Sequence, residues 1–567
     1  MFDSLPQDAR QVMDWTWAQF EPYHTDLAGR PVTAANVADW LADWSHLGEL
    51  LQEMYGRLYI ATTVDTTDAE AERRYHAFLD NIFPAAMAAE QALKEKLLAT
   101  GLEPAGFDVP LRNMRTEAAL FREANLSLLT EEQKLANEYD KIIGAQTVAW
   151  EGEERTLPQL RPVFQELDRD RRERAWRLGA ARQLADRDVI NELWARFMGV
   201  RRQLAANADE ADYRAYRWKQ LLRFDYAPAD CARFHDAIAQ VVVPAARRIY
   251  ERRRARLGVA ALRPWDLDVD TRGREPLRPF KTIEELESKV EAMFRRVDPT
   301  LGGYFAAMRR ERLLDLDNRK GKAPGGYNFP LHRSRKPFIF MNAVGLHDDV
   351  QTLLHEGGHA FHTFEAAPLP YEQQLETGME FAEVASMGME LLAAPYLPTR
   401  EGGFYSEADA ARARIEHLEG IVLFWPYMAV VDAFQHWVYT HHDAAADPAN
   451  CDAKWAELWG RFMPGVDWSG LEEELKTGWH RKLHIHQVPF YYVEYGMAQL
   501  GAVQVWSNAL KDQAGAVARY RRALALGGTK PLPDLYAAAG ARFLFTADTL
   551  RPAVELIERT IAELDAA

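Results

Sequence analysis

Five residues carry the most chemistry in this chain: His355-Glu356-Gly357-Gly358-His359. On an α-helix, side chains four residues apart project from one face, one turn from each other. Both imidazoles can therefore reach a single metal ion. Glu356 lies on the neighbouring flank, within reach of a water held by that ion. These residue types at this spacing suit a hydrolytic zinc centre, in which the metal activates water and the carboxylate takes its proton.

A catalytic zinc needs a third protein ligand and keeps one position for water. In the long metzincin pattern that ligand lies six residues after the second histidine. Glu365 stands there, the intervening glycine is missing, and His362 takes its place. That pattern fails, and His362 reads as a structural histidine rather than a ligand. The other arrangement takes a glutamate from a second helix. Glu372, Glu376, Glu380, Glu383 and Glu390 are available, and spacing alone does not select among them. Glu383 and Glu390 are seven residues apart and share a helix face, so one could bind metal while the other orients a ligand histidine.

The elements that must position these residues read mostly as helix. Asp348 is the expected N-cap of the motif helix, with Gln351 at its third position. Val350, Leu353, Leu354, Phe361 and Phe364 give it an apolar stripe. Two central glycines lower helix propensity by roughly 1 kcal/mol each relative to alanine, which points to close backbone approach. A short strand is expected over Pro337-Phe-Ile-Phe-Met-Asn342, after a glycine-rich loop at Gly321–Tyr327. Ser4–Gln7 and Thr282–Glu285 carry capping-box signatures, and residues 33–66 and 67–100 read as long helices.

The chain has 567 residues, 48% hydrophobic and 27% charged, which is ordinary globular composition and suits two large lobes. Its 16 Trp, 21 Tyr and 26 Phe imply a large core before they imply an aromatic cleft. A net charge of −16, with no dense Lys/Arg block, argues against nucleic-acid binding. Cys231 and Cys451 cannot form a disulfide framework, and nothing near either resembles a thiolate metal site. No leader segment and no membrane-length apolar run appear, so a cytoplasmic, soluble protein is the expectation. No oligomeric state is implied.

Three groups of residues together resemble one known family. They are His355-Glu-Gly-Gly-His-Ala-Phe-His362 followed by Phe381-Ala-Glu-Val-Ala-Ser386; the run Phe338-Ile-Phe-Met-Asn-Ala-Val-Gly345; and Trp479-His-Arg-Lys-Leu-His-Ile-His486 continuing into Pro489-Phe-Tyr-Tyr-Val-Glu-Tyr495-Gly496. They are similar to the thimet oligopeptidase-like (M3) zinc metallopeptidases, in the oligoendopeptidase F branch. The resemblance implies one Zn²⁺ per chain held by His355, His359 and Glu383, with Glu390 orienting a ligand and Glu356 as general base. It implies that His484, Tyr491 and Tyr495 bind substrate and stabilise the oxyanion, with His486 as an alternative. Gly345 would clear the path of a passing peptide. One departure is Gly357, where relatives carry a bulky apolar residue.

The implied fold is mainly α: two helical lobes around a deep substrate channel, with a small β-sheet near the zinc helix. The lobes are expected at 1–190 and 191–567, with an approximate border and room to interleave. The implied activity is endopeptidase action on short oligopeptides. A metallocarboxypeptidase of similar helical fold and a non-catalytic helical zinc-binding protein are the competing readings. A structural zinc is normally closed by four protein ligands. Three convincing ligands and a glutamate base favour catalysis.

Overall fold

Long alanine-rich, periodic stretches with few breakers make the structure 70% helical, with only small sheets among the described residues. The computed structural model describes residues 1–65, 67–319, 322–323 and 325–566. Thr66, and Gly321 and Pro324 of the expected glycine-rich loop, lie outside the described residues. The chain forms two compact units. One comprises Met1–Ala119, Arg278–Ala413 and Ala498–Phe543; the other comprises Leu120–Leu277, Arg414–Met497 and Leu544–Ala567.

In the first unit, helix Val37–Val64 presents Trp40, Trp44, Leu47, Leu51, Met54 and Leu58 at three- and four-residue spacing. They pack with Phe20, Leu27, Phe78, Leu93 and Leu97 from neighbouring helices into one apolar cluster. The helix expected over 67–100 is two helices, Ala69–Asn81 and Phe83–Thr100, which meet at Ile82. Pro84 follows closely, and proline cannot sit in a helix interior without losing a backbone bond.

The expected strand is present as Lys336–Ala343. It is the centre of a three-stranded sheet, parallel to Leu314–Asp317 on one side and antiparallel to Tyr327–Leu331 on the other. The chain leaves this strand through Gly345 and enters the motif helix, His347–Ala366. That helix packs against helices Met379–Ala393 and Ile283–Val297.

Two expected caps differ. The motif helix is capped by Asp349, not Asp348: Asp349 Oδ2 accepts the amides of Val344 and Leu346, each at 2.8 Å. The carboxylate reaches backward across the turn, so the functional cap sits inside the helix. At the N-terminus, residues around Ser4–Gln7 form two short 3₁₀ turns, and the first α-helix begins at Trp17. There Gln19 Oε1 accepts the Thr16 amide at 2.7 Å, so Thr16-x-x-Gln19 supplies the capping box. The expected cap at Thr282 is present, with its hydroxyl accepting the Glu285 amide at 3.2 Å.

The second unit holds a two-stranded antiparallel hairpin, Thr147–Trp150 with Glu153–Thr156. Its helices include Arg187–Asn207, Pro228–Ala237 and the C-terminal part of Glu407–Thr440. Trp194, Trp425, Trp455 and Trp479 are almost wholly buried within it.

Candidate metal centre

The motif helix and helix Met379–Ala393 run against each other because glycine removes the side chain that would hold them apart. A Cβ at Gly358 would lie 2.4 Å from the Ala385 carbonyl oxygen and 2.5 Å from Ser386 Cα. The buried Tyr520 hydroxyl donates to that same carbonyl at 2.7 Å, bracing the second helix from behind. At Gly357 a Cβ would meet the Phe294 ring at 2.4 Å, so Phe294 fills the space a side chain there would take.

This contact brings Glu383 to the two motif histidines. Glu383 Oε2 lies 3.4 Å from His355 Nε2 and 3.5 Å from His359 Nε2. One donor atom from each of the three residues falls within 4.8 Å of the others. Glu390, two turns further along the same face, sits 2.7 Å from His355 Nδ1. A proton on Nδ1 donated to Glu390 leaves Nε2 with its lone pair turned toward Glu383, as a metal ligand requires. The Ser386 hydroxyl donates to Glu383 Oε2 at 2.8 Å and to the Glu383 carbonyl at 3.1 Å.

The charges agree with the geometry. Burial alone would raise the Glu383 carboxyl, yet His359 and His355 hold it below the usual range. Burial alone would lower the His355 imidazole, yet Glu383 and Glu390 raise it well above its ordinary value. Both shifts report the same demand: two carboxylates in a buried pocket need positive charge beside them. A divalent cation meets that demand with neutral imidazoles. The donor set of two imidazoles and one carboxylate, with an oriented second carboxylate, fits zinc.

Glu356 is 8% exposed on the adjacent flank of the same helix. Burial raises its carboxyl above the usual range, with partial relief from His359 and His355. A raised carboxyl is a better proton acceptor than an ordinary glutamate. His362 is buried, and burial lowers its imidazole to about 4. Its Nε2 has no hydrogen-bond partner, and it stands outside the ligand group. Glu372, another sequence candidate, lies 3.5 Å from His332 instead. Gly345 adopts φ +89°, a conformation that side chains other than glycine rarely take, so the turn into the motif helix gives a backbone reason for it.

In the second unit, His484 sits among three tyrosines. Its ring centroid is 4.8 Å from Tyr492, 5.9 Å from Tyr495 and 6.0 Å from Tyr491. Burial, reinforced by Lys482, lowers its imidazole to about 3, which keeps the ring neutral. Lys482 itself lies 4.0 Å over the Tyr492 ring and is lowered by burial to about 8. The tyrosines follow a tight backbone turn: Phe490 has φ +66°, its amide donates to Gln435 Oε1 at 2.7 Å, and its carbonyl accepts from Arg223 at 2.6 Å. A non-glycine residue in this region is strained by about 1–3 kcal/mol and persists only where its surroundings enforce it. His486, by contrast, is fully buried. It stacks on Tyr139 at 4.4 Å and on Trp479 at 5.8 Å.

Sequence reasoning gave no role to Ser386, although its three-residue offset from Glu383 on a helix was a usable signal. Tyr520 carried no local signal, because its partner lies 135 residues away.

With this geometry in place, comparison with known proteins identifies the family. A sequence model of Peptidase family M3 matches residues 164–554. The chain belongs to peptidase family M3. This M3 chain is 24% identical over 288 residues to Oligopeptidase PepF of Bacillus subtilis (strain 168). That match spans 49% of this chain and 41% of PepF, about two fifths of its length. The fold is that of the oligoendopeptidase F structures. An X-ray structure of a candidate oligoendopeptidase F is 27% identical with TM-score 0.88, covering 100% of this chain and 99% of that one. PZ peptidase A, solved with an inhibitor, is 26% identical with TM-score 0.87, again over 100% and 99%.

Proposed function

We propose that this chain is a zinc-dependent endopeptidase that hydrolyses internal bonds of short oligopeptides. The observation that carries the proposal is the convergence of His355, His359 and Glu383 donors within 4.8 Å, beside a buried Glu356 on the same helix. The names of PepF and the oligoendopeptidase F structures support peptides as the substrate class.

His355 Nε2, His359 Nε2 and one Glu383 oxygen would hold the ion. When bound, zinc supplies Lewis acidity and brings the pKa of its water toward about 7. Glu356 then accepts a proton from the attacking water and later delivers it to the leaving amine, a role worth typically about 10²–10⁴ in rate. Glu390 holds the His355 ring by its Nδ1 proton. The Ser386 hydroxyl donates to Glu383 Oε2, the oxygen that faces the two imidazoles, and fixes the carboxylate there. We assign the substrate-facing histidine to His484 rather than the enclosed His486, with Tyr491 and Tyr495 as hydroxyl donors to the developing oxyanion. Each such donor is worth about 10²–10³ in rate where measured in other hydrolases. Gly345, which carries no side chain, is assigned to the path of the passing peptide; the strand before it is the centre of its sheet, paired on both sides, and offers no free edge for an added strand.

The test uses the full chain and a peptide blocked at both ends. The proposal expects internal cleavage that stops after chelation and returns with added Zn²⁺. A carboxypeptidase would leave the doubly blocked peptide intact while trimming its free-ended counterpart, and that result would overturn the endopeptidase reading.

A further inference from the structure

A second cluster of metal-ligating side chains lies within the second unit, on residues the proteolytic mechanism does not use. Helix Pro228–Ala237 carries Cys231 and His235, four residues apart. Helix Glu407–Thr440 carries Asp432 and His436, also four apart. Each pair therefore presents both side chains from one face, the spacing that serves His355 and His359. The fold turns these two faces together. His235 Nε2 lies 2.8 Å from Asp432 Oδ2, and His436 Nε2 lies 3.3 Å from the same oxygen. Donor atoms of Cys231, Asp432 and His436 all fall within 4.8 Å of one another.

The cluster is enclosed and incompletely satisfied. Cys231 and Asp432 are 0% exposed and His235 is 5% exposed. Asp432 Oδ1 is buried without a hydrogen-bond partner, and the buried His436 Nε2 approaches Asp432 Oδ2 without completing a hydrogen bond. Aromatic rings close over the histidines: Phe490 at 5.1 Å and Trp218 at 5.8 Å from His436, Phe462 at 6.3 Å from His235. A buried carboxylate with an unpaired oxygen is expensive unless something positive sits against it.

We propose that Cys231, Asp432 and His436 hold a second divalent transition-metal ion of the zinc or cobalt class. His235 donates to Asp432 Oδ2 and holds the carboxylate in place between the two helices. Thiolate, imidazole and carboxylate together suit a borderline-soft metal such as zinc and not calcium or magnesium. The charges balance: thiolate and carboxylate cancel a dication, leaving a neutral buried cluster. Metal–donor bonds of about 2.0–2.3 Å place donors about 3.3–3.8 Å apart in a tetrahedral site, so closure needs only side-chain adjustment from the observed spread. The ion would link the two helices, with a water in the remaining tetrahedral position, apart from the hydrolytic centre. It does not depend on the peptidase reading, and it raises the metal content from one ion per chain to two.

Cobalt tests this on the intact chain, because only a thiolate ligand gives a sulfur-to-cobalt charge-transfer band in the near ultraviolet. The centre at His355, His359 and Glu383 has no sulfur ligand and is silent in that band. Wild-type chain stripped by chelator and titrated with Co²⁺ should bind two equivalents and develop the band. Cys451→Ser should keep it, Cys231→Ser should lose it and bind one equivalent, and Glu383→Gln should keep it while first-centre binding weakens. Uptake of a single equivalent by the wild type with no band overturns the proposal without recourse to any variant. So does a band that survives Cys231→Ser or disappears with Cys451→Ser.

Discussion

Gly358→Ala should separate two opposing effects. In an unpacked helix the change is favourable, because alanine exceeds glycine in helix propensity by about 1 kcal/mol. At Gly358 the added Cβ would sit 2.4 Å from the Ala385 oxygen, whereas ordinary contact begins near 3.4 Å. The helices must therefore part by roughly 1 Å, against backbone that Tyr520 braces. Overpacking of this kind costs about 1–3 kcal/mol, which cancels or exceeds the propensity gain. The effect on metal is larger, because ligand distances tolerate only about 0.2 Å and Glu383 rides on the displaced helix. Zinc affinity should fall by at least about 10–100-fold, as it does when outer partners of a ligand are lost. Gly199, also helical, has nothing within 4 Å of an added Cβ and serves as the control. Urea unfolding and chelator competition on both variants give the comparison. If Gly358→Ala gains stability and keeps zinc as Gly199→Ala does, the close helix approach is not what forms the site.

Three further changes probe other parts of the account. Glu356→Gln should retain zinc while kcat falls by about 10²–10⁴, read from metal content and peptide turnover on the same preparation. Glu390→Gln should weaken zinc about 10–100-fold, because His355 loses the carboxylate on Nδ1; unchanged affinity in chelator competition would contradict the orienting role. His486 gives a pH signature: burial lowers its imidazole to about 3 from an ordinary 6.5. The unfolded chain therefore takes up a proton first as pH falls, and stability declines from about pH 6.5 downward until about pH 3. By about pH 5 this one ring removes about 2 kcal/mol relative to about pH 7.5. His486→Gln should be less stable at neutral pH yet lose about 2 kcal/mol less on acidification; an equal loss would refute the buried-neutral assignment.

What was legible in the sequence was what short range determines. The spacing of His355, Glu356 and His359 already placed two imidazoles and a carboxylate on one helix. The strand before it and the helical class followed from apolar pattern and the scarcity of breakers. Glu383 was not legible from spacing, since five glutamates competed and only the packing of a second helix chooses among them. That packing depends on Gly358 meeting Ala385 and Ser386, a contact that no local pattern encodes. The cap of the motif helix was misplaced by one residue, because an aspartate inside the first turn can reach backward as well as one before it. The cluster around Cys231 and Asp432 was invisible for the same reason as Tyr520: its halves are remote in sequence and adjacent only in the folded unit. No described helix is long and apolar enough to cross a membrane.

Anomalous scattering at the zinc edge, from crystals of the zinc-loaded chain, tests the central claim most directly. A peak is expected about 2.0–2.2 Å from His355 Nε2, His359 Nε2 and a Glu383 oxygen. A zinc-loaded, folded chain with no peak among those three residues would contradict it.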